Sequence, residues 1–210
     1  MRLIVIALMV TCLAACQSAY YGAAEKLGYH KRDIMVDRVE ASREAQQEAE
    51  EQFQSALEQL SLLTNFDGGD LEDIYEDMND EYEDAEDAAD NVRSRIKAIE
   101  DVAEALFEEW ADEIEEYSNG RLKADSQKKL RETRKRYKPM IAALHKSESK
   151  MNPVLAALKD NVLYLKHNLN ARAVASLKVE FKSIEDDIDV LVAEMRKAIA
   201  SSDEFIASMQ

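Results

Sequence analysis

The chain has 210 residues, with 43 Asp or Glu against 27 Lys or Arg, a net charge of -16 that makes nucleic acid an unfavourable partner. Five Gly and two Pro supply too few turns for a sheet protein of this size, whereas the abundant Ala, Glu, Asp, Lys and Leu go with long helices. The three His residues show no metal-ligand spacing, and neither a phosphate-cradling glycine loop nor a nucleophile elbow occurs. The sequence therefore points to no catalytic residue, no cofactor and no enzyme.

The first sixteen residues are MRLIVIALMVTCLAAC. Arg2 precedes an apolar run from Leu3 to Cys12 that falls short of the roughly 20 residues a bilayer span needs. The run ends in Leu13-Ala14-Ala15-Cys16, which resembles the lipobox of bacterial lipoproteins. That resemblance implies a signal peptide over 1–15, cleavage before Cys16, and acylation of Cys16 as the site of lipidation. By resemblance to Gram-negative lipoproteins, Gln17 rather than Asp after the Cys points to the outer membrane, periplasmic face. Cys12 then leaves with the leader and the Cys16 sulfur becomes a thioether, so no thiol remains. Residues 16–23 are expected to be a tether and 24–210 a single elongated helical domain.

Four amphipathic segments follow, each with an apolar residue at alternating steps of four and three. The first runs through Met35, Val39, Ser42, Gln46, Ala49, Phe53, Ala56, Leu60 and Leu63. Asn65 to Gly69 closes it, and Asp70 is placed to cap the next helix. The second segment carries the acidic run 66–90, with thirteen Asp or Glu and no Lys or Arg, yet Tyr75, Met78, Tyr82 and Ala85 keep its apolar stripe. The stripe continues through Val92, Ile96, Ile99 and Leu106 to Trp110, Glu113 and Tyr117. Ser118-Asn119-Gly120 ends this helix, with Gly120 available for a left-handed C-cap. The third stripe includes Leu130, Arg134, Tyr137, Ile141, Leu144, Glu148 and Met151, and passes Pro139 and Pro153 without a phase slip. Those prolines are expected on the outer face, as kinks or at most a restart at Asn152. A turn near Asn168-Leu169-Asn170 precedes the fourth stripe, Val174 to Met209.

Four segments of about 38 to 48 residues with short connections predict an all-α fold, an elongated antiparallel four-helix bundle; two long hairpins completed by dimerisation are the alternative. In the bundle, residues 121–138 carry nine Lys or Arg against Asp125 and Glu132, at the end that holds the N-terminus. Lys26, Lys31, Arg32, Arg121, Lys123, Lys128, Lys129 and Arg131 are expected to contact anionic headgroups there, each near-surface cation contributing about 1 kcal/mol. The polar exceptions Ser42, Gln46, Arg134, Glu148 and Ser202 are candidates for a register-setting core layer, or for positions that rotate out to solvent. Asp67, Asp70, Glu72 and Asp73 are a weak Ca2+ candidate without EF-hand spacing, so no metal site is expected. His145 and His167 read as surface residues.

EKLGYHKRDIMVDRVEASREAQ (25–46), VLYLKHNLNARAVASL (162–177), NFDGGDLE and VAEALFEEW together resemble a domain-of-unknown-function family of Gram-negative lipoproteins, over nearly all of the mature chain. The resemblance implies a helical, coiled-coil-rich protein and carries over no functional residue. The expected function is a non-enzymatic periplasmic rod held to the outer membrane by its N-terminal lipid, acting as scaffold, adaptor or spacer. An unidentified envelope protein or a second copy in a homodimer is its expected partner. The alternative is a helical module that senses or shapes the bilayer surface.

Overall fold

The computed structural model describes residues 30–65 and 71–209. Four helices make up almost all of them: α1 Lys31–Thr64, α2 Leu71–Glu116, α3 Gly120–Lys166 and α4 Ala171–Met209. Each packs on the helix before and after it, and α4 packs back on α1, so four rods close a square around one core. The core is completed within one chain, which removes the need for the alternative of two hairpins joined by dimerisation. The longest helix has 47 residues, about 70 Å at 1.5 Å per residue.

The connections follow local side-chain chemistry. Asn119 caps α3: its Oδ1 accepts from the backbone N–H of Arg121 at 3.0 Å and of Leu122 at 3.2 Å. Gly120 is therefore the first residue of α3, and no left-handed C-cap forms there; asparagine's side-chain acceptor outcompetes the role expected of the glycine. Asn170 repeats the device for α4, accepting from Arg172 N and Ala173 N at 3.1 Å each. At the end of α1, the Asn65 N–H reaches Ser61 O and Leu62 O. The cap expected of Asp70 falls outside the described residues. Pro139 and Pro153 both lie inside the single helix α3 and are exposed, and the helix does not restart at Asn152.

The core follows the stripes, with Met35, Phe53, Leu60, Ile96, Ile99, Leu144, Met151, Leu158, Leu165 and Phe205 all under 2 % exposed or at that limit. Burying a side chain of this size contributes about 1.5–3 kcal/mol. Two stretches depart from the 3.5-residue spacing by one residue. Near the end of α2, Ile114 is buried in place of Glu113. In α3, Met140 and Ser147 are buried in place of Ile141 and Glu148. An α-helix has 3.6 residues per turn, so a strict 3.5-residue ruler drifts along it. Between Leu144 and Met151, positions 147 and 148 lie about 50° to either side of the core direction. The helix turns the serine inward because a desolvated carboxylate costs far more than a hydroxyl.

Candidate functional surfaces

The bundle has two unlike ends. The proximal end holds the start of α1, the α2–α3 connection and the last turn of α4; the distal end holds the α1–α2 and α3–α4 connections. At the proximal end Lys31 donates to Glu109 Oε1 at 2.6 Å, from α1 to α2. Lys31 is buried, which removes it from the expected headgroup-contact set: its charge is spent inside the bundle. Arg32 donates to the Met209 carbonyl and Arg136 to the Ser208 carbonyl at 3.5 Å. Two cations from neighbouring helices thus meet the last carbonyls of α4, which has no basic residue in its own last turn.

Past Glu109, α2 runs seven residues further, about 10 Å, and turns into α3. Trp110 Nε1 donates to Ser126 Oγ at 2.9 Å and Lys123 pairs with Glu115 at 2.7 Å, holding the two arms of this hairpin together. Tyr117 and Leu122 are exposed beside its tip. Of the other expected headgroup contacts, Arg32, Arg121, Lys128, Lys129 and Arg131 are exposed; Lys129 pairs with Asp125 at 3.0 Å, and Lys26 lies outside the described residues. The acidic end of α2 flanks these cations with Asp112, Glu113, Glu115 and Glu116. A cleft of about 450 Å3 opens between the start of α1 and the end of α2, lined by His30, Arg32, Leu106, Trp110 and Glu113.

Midway along the rod, Gln46 of α1 meets Ser147 of α3 across the diagonal of the square. The Gln46 Nε2 donates to Ser147 Oγ at 2.9 Å, while that hydroxyl has Leu144 O at 2.9 Å to donate to. Both side chains are fully buried. Of the expected polar layer, Ser42, Gln46 and Ser202 are buried. Ser202 bonds only its own helix, to Ala198 O at 3.0 Å, and Ser42 Oγ has no hydrogen-bond partner. Arg134 is exposed, with its guanidinium 5.2 Å from the Phe107 ring centre and donating to Phe107 O at 3.1 Å. Glu148 is half-buried at the rim. Ser147, the partner that matters to Gln46, leaves no trace in the periodicity because its neighbour Glu148 fits the ruler.

The rim of α2 and α3 carries a charged cluster. His145 Nε2 is 2.9 Å from Glu100 Oε1, and its Nδ1 is 3.0 Å from Glu148 Oε2. The Glu100 hydrogen bond raises the His145 pKa first and foremost; partial burial opposes this and Glu148 adds to the rise. Arg93 approaches Glu148 at 4.0 Å, donates to Asn152 at 2.6 Å and pairs with Asp90. Below this cluster, burial pushes the Tyr137 hydroxyl up to about 12. Glu194, paired with Lys197 and Lys146, has a lowered pKa.

Charge is strongly segregated along the axis. Taking the Gln46–Ser147 bond as the dividing plane, with α2 cut after Arg93 and α4 before Arg196, the proximal half holds 18 Lys or Arg and 17 Asp or Glu among the described residues. The distal half holds 7 and 23. The nine cations of residues 121–138 are thus offset by the acidic end of α2, and the distal half bears the negative charge of the molecule. Among the described residues no group of three or more His, Cys, Asp or Glu is placed to hold a metal ion. Two of the Ca2+ candidates, Asp67 and Asp70, fall outside the described residues, and Glu72 and Asp73 are exposed on the first turn of α2. Cys16, the signal peptide and the tether also fall outside them. No described helix is long and apolar enough to cross a membrane.

Fold and surfaces define a long, self-contained antiparallel four-helix bundle with an electrostatic polarity along its axis. The chain belongs to the family described as protein of unknown function (DUF2959), which matches residues 20–209. No curated protein and no solved structure is detectably similar to it.

Proposed function

We propose that the protein is a non-enzymatic outer-membrane lipoprotein, a periplasmic helical rod that serves as scaffold, adaptor or spacer in the cell envelope. The observation that carries this reading is the polarity of the rod. Its near-neutral end is the end at which α1 begins, and among the described residues its distal half holds 23 acidic against 7 basic ones. A tether at Cys16 would set the neutral end against the anionic headgroups and send the acidic half away from them, the orientation that electrostatics favours. Cells grown with a clickable palmitate analogue should label the protein and place it in the outer-membrane fraction; Cys16→Ser should abolish both. Labelling lost with localisation intact, or no labelling of the natural chain, would sink the reading.

A second reading, a module lying on the bilayer surface, draws on Tyr117 and Leu122, which are 43 % and 48 % exposed beside Arg121 at the hairpin tip. Binding of the Cys16→Ser chain to phosphatidylglycerol vesicles, lost in Tyr117→Ser/Leu122→Ser, would favour it over the upright rod.

A further inference from the structure

Arg32 and Arg136 reach the end of α4 from opposite sides, one from α1 to the Met209 carbonyl and the other from α3 to the Ser208 carbonyl. Neither has a carboxylate partner among the described residues, whereas Arg43, Arg93 and Arg196 each pair with one. A guanidinium carries five N–H donors, so both keep several after bonding α4. Capping does not use up their charge either. The open carbonyls of a helix end amount to about half a negative charge, which offsets only about a quarter of two guanidiniums.

Both side chains line one cleft of about 360 Å3, together with Trp110, Lys129, Glu132 and Thr133. The cleft exists because α2 and α3 run on past the first turn of α1 and the last turn of α4, so their hairpin overhangs the end of the core. Lys129 pairs with Asp125 at 3.0 Å and Glu132 lies 3.9 Å from Lys128, so these four charges nearly cancel. The two arginines are left as the surplus. Trp110 is the chain's single tryptophan, and its N–H is engaged by Ser126, so it offers the cleft ring surface rather than a donor. Arg32 and Trp110 also border the cleft beside α1, while Arg136 and Ser208 border a groove of about 230 Å3 over Pro139, Met140 and Phe205. Polar cations in the middle are thus flanked by apolar surface on either side.

We infer that this cleft is a binding site for a phosphate group, free or at the head of an anionic lipid, gripped between Arg32 and Arg136. A carboxylate presents two oxygens in one plane and satisfies one guanidinium fork. A tetrahedral phosphate presents oxygens in several directions, which suits two forks arriving from different helices. Thr133 adds a hydroxyl donor, and Trp110 gives the carbon atoms of a lipid carrier a wall to cover. This site differs from the diffuse headgroup contact expected of Lys128 and Arg131, because it depends on two guanidiniums at one point and not on summed charge. It needs no lipid on Cys16, so the site and the anchor can fail separately.

The test follows the fluorescence of Trp110 in the full-length chain held in maltoside micelles, titrated with sodium phosphate or with phosphatidylglycerol added to the micelles. A saturable emission shift is expected with at least one source and not with sodium chloride at matched ionic strength. A shift with both marks a phosphate site open to either carrier; phosphatidylglycerol alone marks a lipid-headgroup site, and sodium phosphate alone a site for a soluble anion. Arg32→Gln/Arg136→Gln should weaken binding about tenfold or more through the loss of charge-assisted contacts. Those arginines also bond α4, so Thr133→Asp is the second variant: it brings a carboxylate into the cleft, leaves both bonds in place and should weaken binding as well. Lys150→Gln/Lys159→Gln, which removes two exposed cations from the distal half, should leave binding unchanged. No shift with either source overturns the inference. So does a shift that survives both cleft variants, or one that Lys150→Gln/Lys159→Gln weakens equally, because attraction by overall charge would then explain it.

Discussion

Ser147 Oγ is the one partner that Gln46 finds across the core, and the pair is unequal in what its loss would do. Ser147→Ala strands a fully buried amide and should lower the unfolding free energy by about 1–3 kcal/mol in urea titrations. Gln46→Leu leaves the Ser147 hydroxyl with Leu144 O and should cost less. Ser42 is the opposite case. Its Oγ is buried with no partner, so Ser42→Ala should leave stability unchanged or raise it by about 1 kcal/mol. A clear loss in that variant would mean that the hydroxyl is satisfied after all. His145 makes stability depend on pH. Its folded pKa is raised above the unfolded value, so its contribution is complete below pH of about 6.5 and is lost as pH rises through the folded pKa. The melting temperature at low ionic strength should therefore decline above neutrality, and His145→Gln should flatten that decline.

At the scale of the helix, the start of α3 shows how a short polar side chain overrides a glycine. Gly120 sits inside the first turn and a Cβ there would meet nothing within 4 Å. Gly120→Ala should therefore stabilise the protein by about 0.4–1 kcal/mol in thermal melts, chiefly by narrowing the unfolded chain's freedom. The four helices, their antiparallel order and most of the buried face were legible in the sequence, because burying one apolar stripe per helix outweighs the other contributions to folding and leaves a periodic trace. The misplacements cluster where two adjacent residues lie equally near the core direction, at 113/114, 140/141 and 147/148. There the choice is made by the desolvation cost of the particular side chain and by the partner it meets on another helix, neither of which periodicity records. The polar layer is half legible for the same reason: of its five candidates, Ser42, Gln46 and Ser202 are buried while Arg134 and Glu148 rotate outward, and Ser147 is no exception the ruler can flag. Lys31 was unreadable in another way, since a lysine adjoining Arg32 at a helix start carries no sign that Glu109, 78 residues on, will draw it into the bundle.

For the whole molecule, the direction of the rods has a mechanical consequence. The N- and C-terminal ends of the described chain lie together at the proximal end, where Arg32 and Arg136 hold the last carbonyls of α4. A load applied between the N-terminus and the distal tip runs parallel to all four axes. It must slide α1 lengthwise against α2 and α4, breaking its core contacts and the Lys31–Glu109, Arg43–Asp203 and Arg196–Glu50 pairs together. A load between the two ends of the chain instead peels α4 from α1 a turn at a time. In single-molecule pulling, attachment at the N-terminus and at residue 168 should therefore need a higher rupture force than attachment at both ends. The bundle is a strut that resists being drawn out along its length and yields when unzipped from its proximal end.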